Sequence, residues 1–109
     1  MEITFSNQKL KKLCEQKAVA QKQLGQDCAR KLQSRLADLM AAESVRDLTA
    51  GRPHPLKGDR LGEFAIDLVG AKRLVFSPIN EPVPRKQDGS IDWLAVTQIC
   101  IVFIGDYHG

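Results

Sequence analysis

The sequence predicts an α+β domain, with helices packed on one face of a small twisted sheet. Three observations carry that prediction. Apolar residues in the first half recur three and four apart, as on one face of a helix. The character changes at Ala50, where Gly51, Pro53 and Pro55 break the helical pattern. Beyond that point the apolar residues alternate or run continuously, as strands do. At 109 residues the chain is expected to be one domain.

Residues 1–5 alternate, with Ile3 and Phe5 on one side, and suit a short strand. Ser6 can cap a helix beginning at Asn7. Leu10, Leu13 and Cys14 give that helix one apolar face, and it should fade near Lys17. A second, longer helix is expected from about Gln21 to Ala42. Its stripe is Leu24, Cys28, Leu32, Leu36, Leu39 and Met40, and Gly25 weakens its start. Residues 44–48 can add a last turn. GEFAIDLVG then reads as a half-buried strand, with Phe64, Ile66 and Leu68 on one face and Glu63, Ala65 and Asp67 on the other. Val69 and Gly70 turn the chain into AKRLVFSPI. A proline-rich connection follows, anchored by Trp93. The last strand, from about Thr97 to Asp106, is apolar on both faces, as a central strand should be.

Composition narrows the function classes. Apolar residues make up 43% and charged residues 27%, which reads as globular and soluble rather than disordered. The longest apolar run, Ile99 to Ile104, is too short to span a bilayer, and MEITFSNQK is no secretory signal. Cys14, Cys28 and Cys100 are odd in number and far apart, which suits buried thiols in a reducing, cytoplasmic setting. His54, His108, Asp106 and a cysteine could in principle hold zinc, but no close-spaced ligand pair supports a metal. The net charge of +3 sits in residues 1–49, which carry nine basic and six acidic groups. Residues 50–109 carry seven of each. Lys9, Lys11 and Lys12 are either a solvated helix face or a patch that meets phosphate backbone.

Three polar clusters lie in the second half: HPLKGDR (His54 to Arg60), Lys72 with Arg73, and the terminal DYH (Asp106, Tyr107, His108). Taken singly, each has an ordinary role available. His54 can be a loop residue between two prolines, Arg60 can pair with Asp59, and Lys72 and Arg73 can mark the start of a strand. Together they hold the parts for cleaving RNA without metal. Histidine can remove the 2′-hydroxyl proton or supply one to the leaving oxygen near neutral pH. Arginine and lysine can stabilise the charge gathered on the phosphorane. Tyrosine can stack on a base or donate to phosphate.

HPLKGDR, GEFAIDLVGAKRLVF and the terminal DYH resemble the HigB-like branch of the RelE/ParE superfamily of bacterial toxins. The resemblance covers roughly residues 45–109, and the helical half agrees in layout only. It implies a RelE-like fold: a small twisted, mostly antiparallel sheet with two N-terminal helices packed on one face. It implies a metal-independent endoribonuclease that needs no cofactor and cuts translated mRNA on the ribosome. It also implies a cognate antitoxin, often a helix-turn-helix protein. By motif, His54 and His108 correspond to the acid–base pair, in either order. Lys57 and Arg73 correspond to phosphate ligands, Tyr107 to the residue that positions the nucleotide, and Asp106 to one that orients an imidazole or the terminal segment. Arg60 and Lys72 are further candidates for RNA contact, as are Lys9, Lys11 and Lys12. Other members of the superfamily poison DNA gyrase without catalysis, and a degraded toxin would keep only antitoxin binding. The long connection from Ser77 to Val96, the acids Glu63 and Asp67, and Gly109 after His108 depart from the family pattern.

Overall fold

The computed structural model describes residues 1–107. Five strands form one sheet: β1 (Glu2–Phe5), β2 (His54–Pro55), β3 (Phe64–Asp67), β4 (Arg73–Pro78) and β5 (Gln98–Gly105). Their order is β1-β5-β4-β3-β2. All neighbours are antiparallel except β1 and β5, which run parallel with Ile3 beside Ile99. The predicted fold class holds. The first strand of the chain joins the last, which leaves β5 internal to the sheet as its apolar sequence requires.

The helical layer has three helices: α1 (Gln8–Glu15), α2 (Lys17–Leu24) and α3 (Gln26–Ala41). The single helix expected over 21–42 is interrupted at Gly25, whose φ of 85° is open to glycine at no steric cost. The chain also bends at Gln16, so helix resumes at Lys17 where it was expected to fade. Asn7 rather than Ser6 is the N-cap of α1. Its Oδ1 accepts a hydrogen bond from the Leu10 amide at 2.9 Å. Cys28, Leu32, Leu36 and Leu39 face the sheet as predicted, but Met40 is 71% exposed. It follows Leu39 directly and so lies about 100° round the helix.

The main core lies between helices and sheet. Leu32, Leu39, Leu74, Phe76, Ile99 and Ile101 are all 0% exposed there. Each such side chain contributes about 1.5–3 kcal/mol through burial. Phe76 stacks on Phe64 with ring centroids 5.4 Å apart, and Trp93 closes on both. Trp93 therefore anchors the long connection as expected. Asn80 pins the connection's base: its Oδ1 accepts from the amides of Thr97 and Gln98, and its Nδ2 donates to Thr97 Oγ1. At the tip, Asp88 accepts from the hydroxyl and amide of Ser90, bonds that hold its carboxyl below the usual range.

Burial pushes the Cys14 thiol from its usual 9 to about 12, with a smaller contribution from Glu15. The unfolded chain would release that proton near pH 9, so stability linked to Cys14 is full below pH 9 and is lost as pH rises towards 12. In the folded protein at pH 8, iodoacetamide should label half-buried Cys100 before Cys14 or Cys28, as read by peptide mass spectrometry. Early labelling of Cys14 would contradict this packing.

Candidate nucleic-acid interface

The opposite face of the sheet carries the candidate site. Directly opposed residues on neighbouring strands point the same way. His54 pairs with Ala65, Ala65 with Val75, and Val75 with Phe103. These four residues form one row on the helix-free face. A bulge at Val75/Phe76 sets the end of that row, because Phe76 then opposes Ile101 and Val102 is the extra residue. The next row on the same face is Asp67, Arg73 and Gly105. Ala65 was expected on a solvated face, yet it is 0% exposed. It sits in a second, smaller core with Leu56 and Val75, against which Val102, Phe103 and Tyr107 pack.

HPLKGDR shapes the rim of this face. His54 and Pro55 form the short edge strand β2, where a loop was expected. The His54 Nδ1 lies 2.7 Å from the Arg52 carbonyl. A carbonyl oxygen only accepts, so Nδ1 carries the hydrogen and Nε2 keeps the lone pair in the neutral ring. Exposed Lys57 precedes a single 3₁₀ turn, Gly58–Arg60, that returns the chain to β3.

Arg60 is the centre of the cluster. Its Nη1 donates to Glu63 Oε1 at 2.7 Å, so its partner is Glu63 rather than Asp59. Its guanidinium lies 4.6 Å from the Phe103 ring centre and 5.2 Å from that of Tyr107. Those two rings meet edge to face at 6.1 Å. Such stacking, with one hydrogen bond fixed, orients a guanidinium without consuming all its donors. Leu56, Lys57, Asp59, Arg60 and Tyr107 line an open cavity of about 600 Å³.

Arg73 lies on the same face but is held differently. Its Nε is 2.7 Å from Asp67 Oδ1, and its Nη1 donates to the carbonyls of Gly70 and Lys72. Lys72 lies in the turn before β4. Asp106 is exposed just beyond β5. His108 lies outside the described residues. Lys9, Lys11 and Lys12 are exposed on α1, which packs on the helix face of the sheet, so the fold does not bring them to this cluster.

The fold thus gathers His54, Lys57, Arg60, Arg73 and Tyr107 on one face. It adds four residues that sequence reading did not assign to a site: Arg52, Glu63, Asp67 and Phe103. Glu63 and Asp67 had looked unfavourable for phosphate, but each is engaged by an arginine. The spacing of Phe103 and Tyr107 was a usable signal, since a chain turning after β5 can bring the two rings together. Nothing local marked Arg52. Chemically, the arrangement offers an imidazole whose Nε2 is unengaged among the described residues, an exposed ammonium for a phosphate, and an aromatic–guanidinium surface for a base.

No family model matches the chain, and no curated protein matches it by sequence. Its fold has relatives among solved structures. A chain of the YoeB-YefM complex from Staphylococcus aureus superposes with a TM-score of 0.60 at 17% identity, over 98% of this chain and 97% of that one. The YoeB/ParE toxin from Agrobacterium tumefaciens gives 0.58 at 13% identity, over 98% and 99%. The three helices and five-stranded mixed sheet of this chain are therefore the fold found in those toxin structures.

Proposed function

We propose that the protein is the toxin of a toxin–antitoxin pair, on the HigB-like branch named above, and that it cleaves translated mRNA on the ribosome. The observation that supports this most is the cavity lined by Lys57, Arg60 and Tyr107 on the face that also carries His54. The fold shared with a YoeB-YefM chain and a YoeB/ParE toxin agrees with it. In this reading one histidine of the pair His54 and His108 takes the proton from the 2′-hydroxyl. The 2′-oxygen attacks phosphorus, the bond to the 5′-oxygen breaks, and the other histidine protonates that leaving oxygen. The products are a 2′,3′-cyclic phosphate and a 5′-hydroxyl, and no metal or cofactor enters the step. Lys57 and Arg73 hold the scissile phosphate, Tyr107 and Arg60 position the nucleotide, and Asp106 orients the terminal segment. A cognate antitoxin would silence the site.

One observation favours a second reading. Asp67 engages both Arg73 and Arg52, which lowers the positive charge offered to phosphate. A non-enzymatic inhibitor on this fold, acting on DNA gyrase, would tolerate that. Mapping mRNA 5′ ends shortly after induced expression separates the two, with His108→Ala beside the wild type. New 5′-hydroxyl ends within translated frames, absent in the variant, are the expected result. Growth arrest without new ends, accompanied by DNA-damage signalling, would overturn the nuclease reading.

A further inference from the structure

The segment Gly51–His54 is fastened to the end of β3 at several points. The Asp67 amide donates to the Gly51 carbonyl at 2.6 Å. A Cβ on Gly51 would lie 2.5 Å from Ile66 Cγ2, so the loop lies directly on the strand. The next residue, Arg52, has a φ of 50° and is the only non-glycine with positive φ among the described residues. That conformation is unfavourable for arginine, and a following proline biases it further towards extended backbone. Tertiary contacts must therefore hold it.

Two contacts from Arg52 do so. Its Nε donates to Asp67 Oδ2 at 3.0 Å. Its carbonyl accepts from His54 Nδ1 at 2.7 Å. Asp67 is in turn held by Arg73, whose Nε lies 2.7 Å from Oδ1. That ion pair is close but not aligned as a hydrogen bond, since Oδ1 is buried with no hydrogen-bond partner. Among the described residues, the aligned side-chain hydrogen bond to this carboxylate is the one from Arg52. Pro53, with its fixed φ, makes a stiff link between Arg52 and His54.

The geometry points to Arg52 and Asp67 as positioning residues for His54. Asp67 holds the Arg52 side chain, Arg52 keeps its strained backbone, and its carbonyl then fixes the hydrogen on His54 Nδ1. The imidazole is left with Nε2 as the nitrogen that carries the lone pair, unengaged among the described residues, in one orientation on the helix-free face. The chain of contacts also links His54 to Arg73, so a proton-handling group and a phosphate ligand share one rigid support. Such support matters because small displacements at a reacting centre cost large factors in rate. Its value for cleavage rests on the nuclease reading above; its value for the imidazole does not.

The test uses the full chain carrying His108→Ala, which leaves His54 as the only histidine. Nitrogen-15 spectra of its neutral ring should show the hydrogen on Nδ1. Adding Arg52→Gly keeps the positive φ accessible but removes the tether. The side chain of Arg52 is 71% exposed, so little packing is lost. In that variant, and in Asp67→Asn, the ring should shift to a mixture of tautomers. Arg52→Lys, which can still reach Asp67, should restore the Nδ1–H form. With His108 intact, Arg52→Gly should lower cleavage by about 10- to 100-fold, the usual scale for losing an orienting partner. A pure Nδ1–H ring persisting in folded Arg52→Gly would overturn the inference. If the wild type cleaves no RNA, the nuclease reading fails, and the spectra still decide whether Arg52 positions the ring.

Discussion

On the proposed nuclease reading, His54→Ala is expected to lower mRNA cleavage by about 10²- to 10⁴-fold, the range that one general acid or base contributes. Growth arrest on expression should be relieved to match. The fold should persist, because His54 is half-buried on the two-residue edge strand β2 and, among the described residues, makes one side-chain hydrogen bond, to the Arg52 carbonyl. Losing such a bond costs about 1 kcal/mol. The measurement is a pair: cleavage of ribosome-bound mRNA, and the thermal midpoint of the same preparation. Full toxicity in a folded His54→Ala protein would remove this residue from the chemistry. Lys57→Ala is the natural companion. Exposed Lys57 lines the cavity and has no structural partner to lose among the described contacts, so a loss of activity there would report on phosphate binding.

Phe76→Ala should have the largest effect on stability, about 3–5 kcal/mol. Phe76 is 0% exposed and is the largest fully buried side chain. Its ring stacks on Phe64 and meets Trp93 edge to face, with centroids 6.3 Å apart. Removing it opens a cavity where β4, β3 and the long connection meet, so little can collapse to fill the space. Domains of this size are stable by about 5–15 kcal/mol, so the variant should unfold at a much lower denaturant concentration or fail to accumulate. Met40→Ala is the control. At 71% exposure it should change stability by about 0.5 kcal/mol or less. A Phe76→Ala shift no larger than that of Met40→Ala would mean the aromatic cluster is not tightly packed.

The signals legible in the sequence were local. A helical stripe, a two-residue alternation and a glycine–proline break are properties of neighbouring residues. They placed the helices between the first strand and the rest of the sheet, and located β1, β3, β4 and β5. Residue type and the family motif marked His54, Lys57, Arg60, Arg73 and Tyr107 as candidates. Even here the local signal had limits. Gly25 is compatible with a weakened helix or a broken one, and the packing of α2 against α3 chose the break. Met40 fits a stripe loosely enough to be counted in it, and only the docked helix shows which side meets the sheet.

The long-range pairings arise only once the chain is folded. β1 lies beside β5 because ninety-odd residues of intervening chain fold between them, and no local pattern encodes that partner. The bulge at Val75/Phe76 resets which residues share a face, and so puts Phe103 in the row with His54. Arg60 chose Glu63 over adjacent Asp59 because the 3₁₀ turn brings the former back towards it. Asp67, which alternation placed on the face away from the core, became the common partner of Arg73 and Arg52. The physical reason is the same in each case. Periodicity reports how a chain hides its own apolar residues, whereas a site depends on which distant backbones come to lie side by side.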